Sequence, residues 1–158
     1  MREINEIIVH CSATKEGQPY SVEQMDRDHR SRGWNGIGYH YVIHADGTIE
    51  RGRPESLPGA HCKGRNSTSI GICYIGGLDR HGKEKDTRTE AQRQAMRELI
   101  RRLILQYPSI KRVMGHRDAS PDLNGNGVVD PWERVKACPC FDAIQEFATL
   151  LEIWNRAA

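Results

Sequence analysis

The chain has 158 residues, 23 basic and 21 acidic side chains, and a formal net charge of +2. Hydrophobic residues make up 37% and charged residues 28%, and mean hydropathy is −0.67. This length suits one domain with a buried core, the apolar content excludes a disordered chain, and no apolar run reaches the ~18 residues of a membrane span. The near balance of charge gives no electrostatic reason to expect a nucleic-acid partner.

Met1–Glu6 is polar, with no apolar stretch or small-residue cleavage site behind it. The chain is therefore expected to be made in the cytoplasm without a signal peptide, reaching any outside target after release. Ile4–His10 is apolar and rich in β-branched residues, the pattern of a buried strand. Ser21 with Gln24 predicts a capped helix that Gly33 ends. Tyr39–His44 and Thr48–Gly52 read as two strands of a hairpin, joined through Asp46-Gly47. Ile70–Ile75 is a further buried strand, closed by Gly76-Gly77. Thr89 with Gln92 caps the longest helix, whose apolar face carries Met96, Leu99, Ile100, Leu103 and Ile104 and which Pro108 ends. Its polar side is basic, with Arg88, Arg93, Arg97, Arg101 and Arg102. Lys111–Gly115 is a short strand, and Arg117–Pro139 is irregular. A last helix, Phe141–Arg156, is expected to bury Phe141, Ile144, Phe147, Leu151 and Trp154. The order β-α-β-β-β-α-β-α predicts an α/β fold, a single domain over 1–158 with a central mixed sheet flanked by helices.

The five cysteines, Cys11, Cys62, Cys73, Cys138 and Cys140, are an odd set in a chain of this size. That argues against a disulfide framework and for a reducing compartment, with at least one thiol kept for chemistry. His10 and His116 each close a predicted strand, where α/β proteins place their sites. With a cysteine from the 138–140 region they form a long-spaced set of two imidazoles and one thiolate. Such spacing suits a catalytic zinc with its fourth position open, whereas structural zinc sites use close cysteine pairs. Residue counting alone does not choose Cys138 over Cys140, or His10 over His40 or His44.

Five strings occur in order: IIVHCSAT around His10, GIGYHYVIHADGTIERGR around Tyr39, GAHCKGRNSTSIGICYIGG around His61, VMGHRDASPD around His116 and KACPCFD around Cys138. Together, over about Ile4–Asp142, they resemble the type 2 N-acetylmuramoyl-L-alanine amidases, in particular the phage T7 lysozyme branch, with kinship to peptidoglycan recognition proteins. The resemblance implies a zinc-dependent hydrolase that cuts the amide between N-acetylmuramic acid and L-alanine in peptidoglycan. It implies His10, His116 and Cys138 as zinc ligands, Tyr39 and Lys136 as catalytic residues, and His61 as a residue lining the substrate cleft. In such a site zinc and the Lys136 ammonium stabilise the oxyanion formed as water attacks, and the Cys138 thiolate lowers the net charge Lys136 must face. The related wall-recycling amidases use an aspartate as third ligand and a glutamate near the Tyr39 position, so Cys138 and Tyr39 point to the lytic, endolysin-like branch. Gly33-Trp34 resembles a pair that recognition proteins use on stem peptides containing meso-diaminopimelate, which makes Trp34 a substrate-contact expectation. The partner implied is peptidoglycan, bound by a monomer, with neither nucleic acid nor membrane involved.

A second metal pattern lies between His116 and Cys138. Asp122, Asn124, Asn126, Gly127 and Glu133 satisfy D-x-[DN]-x-[DN]-G-x5-E, the calcium loop of EF-hands, with the Val128 carbonyl at the seventh position. The pattern predicts Ca2+ held by Asp122, Asn124, Asn126, Val128 and Glu133, although Ser120-Pro121 leaves no room for an entering helix. Two other functions fit the residues less fully. One is a cysteine peptidase using Cys138 or Cys140 with His116, which would survive chelation. The other is a module that binds peptidoglycan or regulates a polymerase without catalysis, and would not depend on Cys138.

Overall fold

The structure is a computed structural model that describes residues 2–157, the last five by their backbone alone, so the expected burial of Trp154 lies outside the described side chains. Its elements are β1 (Glu6–Cys11), β2 (Thr14–Lys15), α1 (Val22–Ser31), β3 (Tyr41–Ile43), β4 (Ile49–Arg51), β5 (Ser69–Tyr74), β6 (Gly77–Leu78), α2 (Glu90–Gln106), β7 (Arg112–Gly115) and α3 (Ala143–Ala157). Five strands form one sheet in the order β4-β3-β5-β1-β7. β3 and β4 are antiparallel, and every other neighbouring pair is parallel. The expected mixed sheet with flanking helices is therefore present. β2 and β6 pair separately over two residues each, too few to show a hydrophobic period in the sequence.

β1 and β5 are buried along their whole length, as central parallel strands are. Alternation decides what each residue meets. Ile7, Val9 and Cys11 of β1, with Ile70, Ile72 and Tyr74 of β5, pack on Met96, Leu99, Ile100 and Leu103 of α2 and Phe147 and Leu150 of α3. Cys73 of β5 faces the opposite side, where Met25 of α1 joins Ile37, Val42 and Ile75. Ile8 of β1 is on that side too, against Cys62 and Met114.

The caps read from the sequence are formed. The Thr89 hydroxyl accepts from the Gln92 N–H at 3.1 Å, and the Gln92 side chain accepts from the Thr89 N–H at 2.9 Å. The Gln92 amide nitrogen also donates to the carbonyls of Ile43 and Ile75, which ties the start of α2 to the ends of β3 and β5. Two expectations fail. Ile144 is 49% exposed, because Ala143, Phe147 and Leu150, at i, i+4 and i+7, form the buried stripe of α3. Arg88 is not on the solvated face of α2 but buried ahead of its cap. There it pairs with Asp86 and Glu146, its guanidinium 3.4 Å from the centre of the Phe141 ring.

Candidate active site

The sheet register creates the site. Val9 pairs with Gly115 across β1 and β7, so the next residues, His10 near the end of β1 and His116 just after β7, sit side by side with ring centres 4.6 Å apart. Cys138 arrives from the long connection between β7 and α3, and four contacts pin it there. Its sulfur accepts from the Cys11 N–H at 3.2 Å, and its carbonyl accepts from the Arg117 N–H at 2.7 Å. The Pro139 carbonyl accepts from the buried Tyr74 hydroxyl at 2.7 Å. The Pro139 ring lies over Gly115, where a Cβ would stand 2.4 Å from its Cδ. Gly115 is thus required by close approach and not by its backbone angles. The result is that one donor atom from each of His10, His116 and Cys138 lies within 4.8 Å of the others.

The electrostatics favour the neutral, lone-pair-bearing form of His10. Burial, followed by the nearby His61, His116 and Lys136, holds the His10 imidazole well below the usual histidine range. Burial, then His40 and His116, pushes His61 down to about 3. Both rings are neutral at neutral pH and keep a lone pair to offer. The two thiols beside Cys138 are held protonated. Cys11 is pushed up to about 12, first by its hydrogen bond with Cys138. Cys140 is pushed up by its hydrogen bond with Cys11 and then by burial, and its sulfur faces the Gly77 carbonyl at 3.4 Å. The convergence with His10 and His116 separates Cys138 from Cys140, which spacing did not. Two imidazoles and one thiolate at this separation fit a tetrahedral zinc with one position left over.

A row of rings leads from this group to the surface. Tyr39 lies 5.1 Å from His10, His29 lies 5.6 Å from Tyr39, and Trp34, 38% exposed, lies 4.8 Å from His29. Burial, with Cys73 and Cys138 nearby, raises the Tyr39 hydroxyl well above its ordinary value, so it stays protonated. Sequence reasoning did not single out His29, whose only signal was its place four residues after Met25 on the buried stripe of α1. Its Nδ1 accepts from the Gly38 N–H at 2.9 Å, which fixes the backbone just before Tyr39. Lys136 is exposed. His61, expected to line the cleft, is only 8% exposed and sits behind His10, its Nδ1 2.9 Å from His10 Nε2.

The family model for N-acetylmuramoyl-L-alanine amidase matches residues 1–140. The chain belongs to the N-acetylmuramoyl-L-alanine amidase family. The amidase is 40% identical over 136 residues to the endolysin of Escherichia phage T7, covering 86% of this chain and 80% of that protein. It is 40% identical over 141 residues to the endolysin of Klebsiella phage KP32, covering 89% and 83%. Among solved structures, the N-acetylmuramoyl-L-alanine amidase LysC from Clostridium intestinale superposes with a TM-score of 0.71 at 28% identity, over 98% of this chain and 87% of that one. Drosophila PGRP-LB gives 0.68 at 26%, over 94% and 82%. The amidase is thus a cell-wall lytic enzyme of the endolysin type, with peptidoglycan as its substrate.

The calcium expectation is not supported. Glu133 is buried and its carboxylate accepts from the backbone N–H groups of Leu123, Asn124 and Asp130. Asp122 accepts from the N–H groups of Gly125 and Gly127. The side-chain NH2 groups of Asn124 and Asn126 both turn to Asp130, and Val128 donates its N–H to Asn126. The loop satisfies its oxygens with its own amides. Among the described residues, the His10, His116 and Cys138 group is the one that brings metal-binding donors together.

Proposed function

We propose that this amidase is zinc-dependent, with His10, His116 and Cys138 holding the metal and Tyr39 and Lys136 acting on the scissile amide. The observation that carries the reading is the convergence of three donor atoms within 4.8 Å, from two strand ends and a pinned loop. Zinc, when bound, supplies a Lewis acid that acidifies water and polarises the amide carbonyl.

The chain's own residues do the rest. His10 is held neutral chiefly by burial, so its imidazole keeps a lone pair for a metal. The Tyr39 hydroxyl, kept protonated beside His10, can donate to the developing oxyanion or orient the attacking water, but it is not a base. Lys136 stands two residues before Cys138 on the same pinned segment, exposed and near enough to act on His10, and its ammonium would stabilise the negative charge that grows on the amide oxygen. The attacking water releases a proton and the departing L-alanine amine takes one up, so the hydrolysis balances. Trp34, exposed at the end of the ring row, is the residue this reading assigns to contact with the glycan or stem peptide.

The test is digestion of purified peptidoglycan by wild type, by chelated protein before and after zinc is restored, and by Cys138→Ala, with products read by mass spectrometry. Free stem peptides beginning with L-alanine, lost on chelation and in Cys138→Ala and regained with zinc, are expected. Cleavage that persists after chelation contradicts the zinc reading and revives the cysteine-peptidase alternative.

A further inference from the structure

Behind His10 runs a chain of hydrogen bonds whose direction can be worked out from its far end. The Arg65 carbonyl can only accept, so the Ser69 hydroxyl, 2.7 Å away, gives it its single proton. The Ser69 oxygen then has only lone pairs to offer His61 Nε2 at 3.2 Å, so the proton of His61 is on Nε2. A neutral imidazole protonated there has a lone pair on Nδ1. That lone pair meets His10 Nε2 at 2.9 Å and must accept its proton. His10 is therefore the Nε2–H tautomer, with its Nδ1 lone pair free.

The surroundings fix this chain of donors in place. Asn66 Oδ1 accepts from the N–H groups of both His61 and Cys62, closing the turn that carries His61. The ring of His61 fits between two glycines. A Cβ on Gly59 would stand 2.4 Å from its Cδ2, and one on Gly71 would stand 2.6–2.8 Å from Cδ2, Cγ and Nε2. Ser69 is fully buried. A residue so enclosed, with both ring nitrogens engaged, has little left for a substrate.

We propose that His61 and Ser69 are positioning residues that hold His10 in the one tautomer and orientation able to offer Nδ1 to a metal. The inference rests on the zinc reading above and gives His61 a different task from lining the cleft. Partners that orient a metal-bound histidine in this way typically change metal affinity ~10–100-fold when removed.

The test is zinc affinity, measured by competition with a chromophoric chelator, in wild type, Cys138→Ala, His61→Ala, His61→Asn and Ser69→Ala. His61→Ala is expected to bind zinc ~10–100-fold more weakly than wild type. Ser69→Ala should show a smaller loss. His61→Asn, whose Oδ1 can accept near the place of Nδ1, should regain most of the affinity. In metal-free wild type, nitrogen-15 NMR should find both His10 and His61 protonated on Nε2, a readout that needs no variant to fold. Zinc binding by folded His61→Ala within twofold of wild type overturns the inference alone, as does a proton on His10 Nδ1. A wild type that binds no zinc, or Cys138→Ala binding it as tightly, overturns the zinc reading and this inference with it.

Discussion

His10 shows how much a single residue's surroundings decide. On a bare strand end it would be an ordinary histidine; with His116 and Cys138 beside it and His61 behind, it becomes a neutral donor aimed at a shared point. A neighbouring histidine makes the same physics measurable away from this group. His40 accepts the Gly71 N–H on Nδ1 at 3.0 Å and meets the Leu57 carbonyl through Nε2 at 2.9 Å. Burial pushes its pKa down to about 4. The unfolded chain, with an ordinary histidine pKa of ~6.5, therefore takes up a proton that the fold refuses. Stability is full above pH ~6.5 and falls as pH drops toward 4, by on the order of 2–3 kcal/mol from this residue. Chemical denaturation of wild type and His40→Gln across that window should show a shallower decline in the variant; parallel curves would rule the effect out. The grouping of His10, His116 and Cys138 was legible only through the strings around them, because such a group depends on which residues meet in space. The contacts of the His61 ring were not legible, since they are made with Ser69 and His10 and no local pattern marks them.

At the scale of elements, the strand ends and the pinned loop carry the site. The main strands and helices were readable from β-branched runs, helical periodicity and capping pairs, because those signals are local. The loop 122–133 matched a calcium pattern, but a pattern specifies residue types and not whether their oxygens turn to a cation or to neighbouring amides. The approach of Pro139 to Gly115 was likewise invisible in sequence, although it sets where Cys138 stops. Gly115→Ala should push Pro139 away from β7. The expected cost is ~1–3 kcal/mol of stability together with weaker zinc binding, and an unchanged melting temperature and affinity would refute the close-packing argument. Thr89→Ala, which breaks the capping pair at α2, should cost ~1 kcal/mol in thermal unfolding while leaving zinc affinity as it was. A loss of zinc affinity there would mean that α2 shapes the site more directly than its contacts indicate.

For the whole molecule, the net charge is near neutral at +2, and no helix among the described residues is long and apolar enough to cross a membrane. The odd cysteine count resolves at the candidate site. All five cysteines are free thiols, and Cys138 alone converges with the two histidines. X-ray absorption at the zinc edge of the purified, zinc-loaded protein reads that convergence directly. One zinc per chain is predicted, with two nitrogen neighbours at ~2.0–2.1 Å and one sulfur at ~2.3 Å, the sulfur disappearing in Cys138→Ala. A shell without sulfur in wild type, or no bound zinc, would contradict it.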